Sequence, residues 1–217
     1  MPIRPSPFAR IAIALVVLVA TTILSTARAD SSAGIVLVVG DSISAGYGLA
    51  TGAGWVDLLA ARIDAQHLPW RVVNASITGD TTAGGRARLP ALLAQHKPGV
   101  VIVELGGNDG LRGGNLKSTK DNLDAMIAAV RKANARPILV GMRLPPNYGP
   151  AYTREFDAMY GDVAKSSGAA LVPFFFAGFA ESDEYFQPDR IHPTTAAQSK
   201  LLDNVWPVLL PLLAKAR

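Results

Sequence analysis

The sequence predicts an α/β protein, with five parallel strands in one sheet and helices covering both faces. Three observations carry this. Strand-like runs recur at Gly34–Val39, Arg71–Ala75, Val100–Leu105, Pro137–Met142 and Ala169–Phe174. Between them the apolar residues switch to helical spacing. The runs are mostly continuously apolar rather than alternating, which is how strands buried on both faces read.

The elements follow in order. After the first strand, Trp55, Leu58, Leu59 and Ile63 recur at helical spacing. Beyond the second strand, Leu89–Ala94 belongs to a short helix that Lys97-Pro98-Gly99 closes. Past the third, Leu123, Met126, Ile127 and Val130 mark one helical face. A further helix, Phe156–Lys165, links the fourth strand to the fifth. The last helix is expected to begin near Pro193, because proline suits the first helical position. Pro207 is expected to end or kink it.

The first 29 residues read as a secretory signal peptide. Arg4 and Arg10 supply a positive start, Ile11–Leu24 is almost wholly apolar, and Ala27-Arg28-Ala29 fits a small-x-small cleavage site before Asp30. The apolar stretch falls short of the roughly 20 residues a spanning helix needs, so no stable membrane span is expected after cleavage. An exported protein, periplasmic or secreted, is the expectation. Residues 30–217 then form a single domain, with no internal repeat, low-complexity stretch or linker.

Charge narrows the partners. The whole chain carries a net +4, but removing Arg4, Arg10 and Arg28 leaves 18 basic against 17 acidic residues. A nearly neutral chain lacks the dense basic footprint that nucleic acid requires. With no cysteine, disulfides, thiolate metal sites and cysteine nucleophiles are excluded.

In open parallel sheets the ligand site lies outside the carboxyl ends of the strands. Four polar turns fall there: "GDSIS" after strand one, "SITGD" after two, "GGND" after three and "RLPPNYG" after four. A serine presented on this rim needs a base to take its proton. Of the three histidines, His67 and His96 sit on connections that enter strands, at the opposite edge. His192, in "QPDRIHPTT", follows strand five and can return to the rim. Asp189, three positions earlier, can accept from its Nδ1–H across one tight turn, fixing the tautomer. Ser42, His192 and Asp189 are therefore the expected triad. Expected donors to a developing oxyanion are the Ser42 N–H, the Gly79 N–H and the Asn108 side-chain amide. Asp41 and Asp109 read as turn residues. Met142, Leu144 and Tyr148, near the fourth turn, suggest contact with an acyl chain.

Other motifs fail in detail. "GDSIS" is not G-x-S-x-G, no lysine follows the glycines as in a P-loop, and the histidines lack zinc-ligand spacing. No metal and no organic cofactor is expected.

"GDSISAGYG", "NASITGDT", "VELGGNDGLRG" and "DRIHP" resemble, in order, the successive blocks of the SGNH (GDSL) hydrolase family. The likeness is greatest to its bacterial periplasmic thioesterase, arylesterase and lysophospholipase members, and covers nearly all of residues 30–217. It implies a flavodoxin-like three-layer α/β/α sandwich. It also implies the same triad and oxyanion residues, and a serine hydrolase acting on carboxylic esters and thioesters, lysophospholipids among them. It associates the loop Leu111–Leu116, and so Leu111, with the acyl chain. Arg190 departs from the pattern, since relatives often carry glycine there. A carbohydrate O-acetyl esterase and a non-catalytic binding module remain the alternatives.

Overall fold

The structure, a computed structural model, describes residues 33–214. The expected signal peptide, residues 1–29, lies outside them. Five strands, β1 (Gly34–Gly40), β2 (Trp70–Asn74), β3 (Val100–Glu104), β4 (Arg136–Val140) and β5 (Ala170–Val172), form one sheet in which every pairing is parallel. Their order is β2-β1-β3-β4-β5. This is the flavodoxin-like order, whose crevice opens between β1 and β3 where the winding reverses. β1 and β3 are buried along their whole length, as their apolar runs require.

Among the described residues seven α-helices connect and cover the strands: α1 (Ser42–Ala45), α2 (Trp55–Ala65), α3 (Thr82–His96), α4 (Gly107–Leu111), α5 (Leu116–Lys132), α6 (Pro150–Ser167) and α7 (Gln198–Ala214). α2 packs on α7, while α5 packs on both α3 and α6. These two groups are the outer layers of the expected sandwich. α5 shows why such a segment is a helix. Asn115 caps it by accepting from the Ser118 N–H at 2.9 Å, and Leu116, Leu123, Met126, Ile127 and Val130 bury one stripe. Each such side chain contributes about 1.5–3 kcal/mol on burial, far more than helix propensity supplies.

Three expectations are corrected. The helix read as Leu89–Ala94 runs from Thr82 to His96. Gly84 and Gly85 conceal its start, because glycine is a poor helix former. Packing dictates Gly85: a Cβ there would strike Leu105 and lie 3.2 Å from Met126 Cε.

The last helix does not begin near Pro193, which instead pairs with Phe186 in an isolated antiparallel bridge. A 3₁₀ turn at Thr195–Ala197 leads into α7.

Pro207 does not end that helix, since α7 continues through Pro207 and Pro211. Both prolines face solvent, so water can reach the carbonyls they leave unpaired, while Leu201, Leu202, Val205, Leu209 and Leu213 are buried. Burial of those five outweighs the roughly 3 kcal/mol that an interior proline costs.

Candidate active site

β1 ends at Gly40, and the chain turns at once into the single-turn helix α1, with Ser42 as its first residue. Asp41 caps the turn, its Oδ1 accepting from the Ile43 N–H at 3.1 Å. Gly40 leaves no room for a side chain: a Cβ would lie 2.7 Å from Ser44 Oγ and from Glu104 Oε2. Gly40→Ala is therefore expected to destabilise the protein by about 1–3 kcal/mol through overpacking. Urea unfolding would read this loss, together with a drop in turnover as Ser42 is displaced.

His192 arrives from the far end of the chain on a closed loop. The Gln187 N–H donates to the His192 carbonyl at 2.7 Å, and the Thr194 N–H to the Tyr185 carbonyl at 2.8 Å. Within this loop Asp189 Oδ1 accepts from the N–H groups of Ile191 (2.9 Å) and His192 (3.0 Å). Its Oδ2 lies 2.7 Å from His192 Nδ1. His192 Nε2 lies 2.9 Å from Ser42 Oγ. The three side chains thus form one continuous hydrogen-bonded chain. Loss of hydration is the largest influence on the Asp189 carboxyl and raises it. The bonds from the His192 N–H, its imidazole and the Ile191 N–H together outweigh that and hold it at about 2. Asp189 is thereby ionised throughout the neutral range.

Arg190 occupies the left-handed region, with φ 59. Glycine would be unstrained there. The arginine side chain points to Asp183 at 2.7 Å, both largely exposed, and leaves the three-residue chain untouched.

The expected oxyanion donors gather beside Ser42, though not all equally free. Among the described residues, no acceptor bonds the N–H of Ser42 or Gly79. Gly79 adopts φ 78 with nothing within 4 Å of where a Cβ would stand. Asn108, in the short helix after β3, donates its amide to Asp41 Oδ2 at 3.1 Å and to the Asp80 carbonyl at 3.0 Å. It therefore bridges the turns that carry Ser42 and Gly79, with both amide hydrogens already directed at acceptors.

Arg88 was invisible to motif reading. From α3 it bonds Asp80 Oδ2 at 2.7 Å, the Gly40 carbonyl at 3.3 Å and the Ala75 carbonyl, clamping the turn that presents Gly79. Asp109 fixes the same region by accepting from the Thr82 N–H (2.9 Å) and hydroxyl (2.6 Å).

Two buried acids underlie the turn that carries Ser42. Glu104, 0% exposed, accepts through Oε2 from the Ser44 hydroxyl at 2.6 Å and the Asp41 N–H at 3.4 Å. Burial pushes its carboxyl well up, and the neighbouring Asp41 charge pushes it further. Burial likewise raises Asp41 to about 6, against the pull of the Ile43 N–H, His192 and Asn108. The signal for Glu104 in the sequence was a lone carboxylate closing the apolar run "VVIVE".

The native state thus holds the Asp41 proton more tightly than the unfolded chain, so this group's contribution to stability falls as pH rises from 3.8 to about 6. Asp189 acts in the opposite sense, contributing stability that is lost as pH falls from 3.8 towards about 2. Melting temperature measured against pH should show a shallower decline between pH 4 and 6 in Asp41→Asn than in the wild type.

The residues expected near an acyl chain come together around α4. The Tyr148 hydroxyl donates to the Leu111 carbonyl at 2.9 Å, and Leu144 packs where a Cβ on Gly110 would lie 2.8 Å away. Met142 is buried in the core, 4.0 Å from a Cβ position on Gly107, and forms a wall rather than an exposed contact. An open cavity of about 680 Å³ beside β5, lined by Arg143, Phe174, Phe179 and Asn204, contains none of the residues named for catalysis. Among the described residues no cluster of His, Cys, Asp or Glu is arranged to hold a metal.

A doubly covered parallel sheet with serine, histidine and aspartate linked at its crevice is the arrangement of a serine hydrolase. Residues 38–200 match the GDSL-like lipase/acylhydrolase family, and the chain belongs to it. It is 53% identical to an esterase, TesA, of Pseudomonas aeruginosa over 85% of this chain and 92% of the relative. It is 44% identical to "Thioesterase 1/protease 1/lysophospholipase L1" of Escherichia coli, covering 88% and 90%. A crystal structure of TesA superposes with a TM-score of 0.80 at 54% identity, over 82% of this chain and 99% of the other. The protein is an ester hydrolase of this family.

Proposed function

We propose that Ser42 attacks the carbonyl carbon of an acyl ester or thioester, with His192 as general base and Asp189 as its orienting partner. One observation carries this reading: Ser42 Oγ, His192 and Asp189 lie in hydrogen-bonded sequence at 2.9 and 2.7 Å. His192 Nε2 takes the serine proton as the Oγ–C bond forms. The ionised Asp189 stabilises the imidazolium, as its lowered carboxyl supports. The oxyanion is received by the N–H groups of Ser42 and Gly79, and by Asn108 through a hydrogen it shares with Asp41 or Asp80. The tetrahedral centre collapses and expels the leaving group, which takes the proton from His192 Nε2. Water then attacks the acyl-enzyme by the same steps and frees Ser42.

A fluorophosphonate probe tests the assignment, since Ser42 should be labelled stoichiometrically. A chain labelled elsewhere, or not at all, is not this enzyme.

We further propose that the acyl chain lies along Leu111, Leu144 and Tyr148 over the wall made by Met142. Each of the first three is only partly buried, which favours an open groove. Each methylene covered there adds at most about 0.8 kcal/mol. With p-nitrophenyl esters below any aggregating concentration, kcat/KM should rise from acetyl to medium chains and then level. A maximum at acetyl would reject the groove and favour a small-acyl esterase. Lysophospholipids and thioesters fall within the same chemistry. Residues 1–29 are proposed to direct export of the single domain formed by residues 30–217.

A further inference from the structure

The loop that carries His192 keeps its own shape through the backbone bonds of Gln187 and Thr194 and the carboxylate of Asp189, but none of these fixes where it lies against Ser42. Among the described residues three hydrogen bonds join residues 41–55 to residues 183–198. One is the Ser42–His192 contact itself. The other two are made by glutamine side chains. Gln187 Nε2 donates to the carbonyls of Tyr47 (2.9 Å) and Pro193 (3.2 Å). Gln198, 1% exposed, accepts through Oε1 from the Trp55 N–H at 2.9 Å. Its Nε2 donates to the carbonyls of Thr194 (3.1 Å) and Pro193 (3.4 Å). Both amides thus grip the Pro193 carbonyl, directly after His192, from two sides of the loop.

The other end of each amide is rooted in the turn that carries Ser42. The Tyr47 N–H donates to the Ser42 carbonyl at 3.0 Å, and the Tyr47 ring centroid lies 4.5 Å from that of His192. The Trp55 indole N–H donates at 3.2 Å to Ser44 Oγ in α1, and the Ser44 hydroxyl donates in turn to Glu104. Catalytic side chains must be held within about 0.5 Å of their productive geometry. The Ser42–His192 bond cannot supply that hold, because His192 gives it up in each turnover when it passes its proton to the leaving group. We propose that Gln187 and Gln198 are positioning residues for the general base, their amides holding the His192 loop at the distance from Ser42 that proton transfer needs. This rests on the roles proposed for Ser42 and His192. Gln198 also satisfies an N–H at the start of α2, where Gly54 offers no side-chain cap. A capping role alone would act on the fold and not on the base, and the two are separable.

The test uses Gln187→Met and Gln198→Met, which keep the length of the side chain and remove its hydrogen bonds, with p-nitrophenyl butanoate as a dissolved monomer. Each single variant should lower kcat by about threefold, and the double variant by up to about 10²-fold, the scale of a 1 Å misplacement. The double loss should exceed the product of the singles, because either amide alone still grips the Pro193 carbonyl. KM should stay as in the wild type, since neither glutamine touches the substrate. The deciding readout is the same pair of substitutions made in His192→Ala. With the base gone there is nothing left to position, so the residual turnover should not fall further. Equal losses with and without His192 would reduce the glutamines to braces of the fold and overturn the proposal. A double variant with unchanged kcat, or one whose loss lies in KM alone, would also overturn it. Gln187→Met, at a partly exposed position, decides the matter in both backgrounds if Gln198→Met unfolds. Failure of the underlying reading is separate and shows without any glutamine change: the wild type would escape labelling at Ser42, or His192→Ala would keep full turnover.

Discussion

Ser42→Ala and His192→Ala are each expected to lower kcat by about 10⁴-fold or more, and the double variant is expected to lose little beyond either one. The reason is geometric. With Ser42 Oγ 2.9 Å from His192 Nε2, the proposed transfer of the serine proton to the imidazole needs both groups, so removing either should disable both. Residual turnover would come from the oxyanion donors and binding alone. Single-turnover kinetics on all three variants checks the result, and independent multiplicative losses would dismiss the triad. Melting temperature separates catalysis from folding. Ser42 is only 7% exposed, yet its loss removes one hydroxyl and no apolar volume, so the fold should survive.

The second large effect concerns Asn108. Asn108→Ala should lower kcat by roughly 10²–10³, the usual cost of one oxyanion donor, with KM little changed. Because its amide also ties Asp41 to the Asp80 carbonyl, a smaller loss of stability should accompany it, about 1–3 kcal/mol if Asp41 is left unpaired in its buried setting. A variant that loses stability but keeps kcat would reduce Asn108 to a structural brace. Steady-state rates with a thermal melt on the same preparation distinguish the two.

Much of the frame was legible because it is written locally. Continuous apolar runs separated by helical spacing announced β1, β3, β4 and β5, and the observed strands fall within or across those runs. The Asp189–His192 contact was legible for the same reason, since three residues and one turn separate the partners. Where local signals misled, a distant contact had overridden them. Gly84 and Gly85 argued against a helix that Leu105 and Met126 demand, and Pro207 argued for an end that the buried face of α7 overrides. The one-turn helices that display Ser42 and Asn108 were read as plain turns, because four or five residues are too few to show a period.

By itself the sequence determined the fold class, the strands that flank the crevice, and the residue types able to perform acyl transfer. Periodicity, turn chemistry and spacing are properties of neighbouring residues. Only the tertiary structure decided that Ser42 meets His192 across 150 positions, that Arg88 clamps the Gly79 turn, and that Glu104 is buried beneath the turn that carries Ser42. It alone decided that Asn108 holds Asp41, and that the Tyr47 ring lies beside the imidazole. Such contacts are set by how the packed layers bring remote turns together. Burial and hydrogen bonding act on distances in space, and no interval along the chain records them.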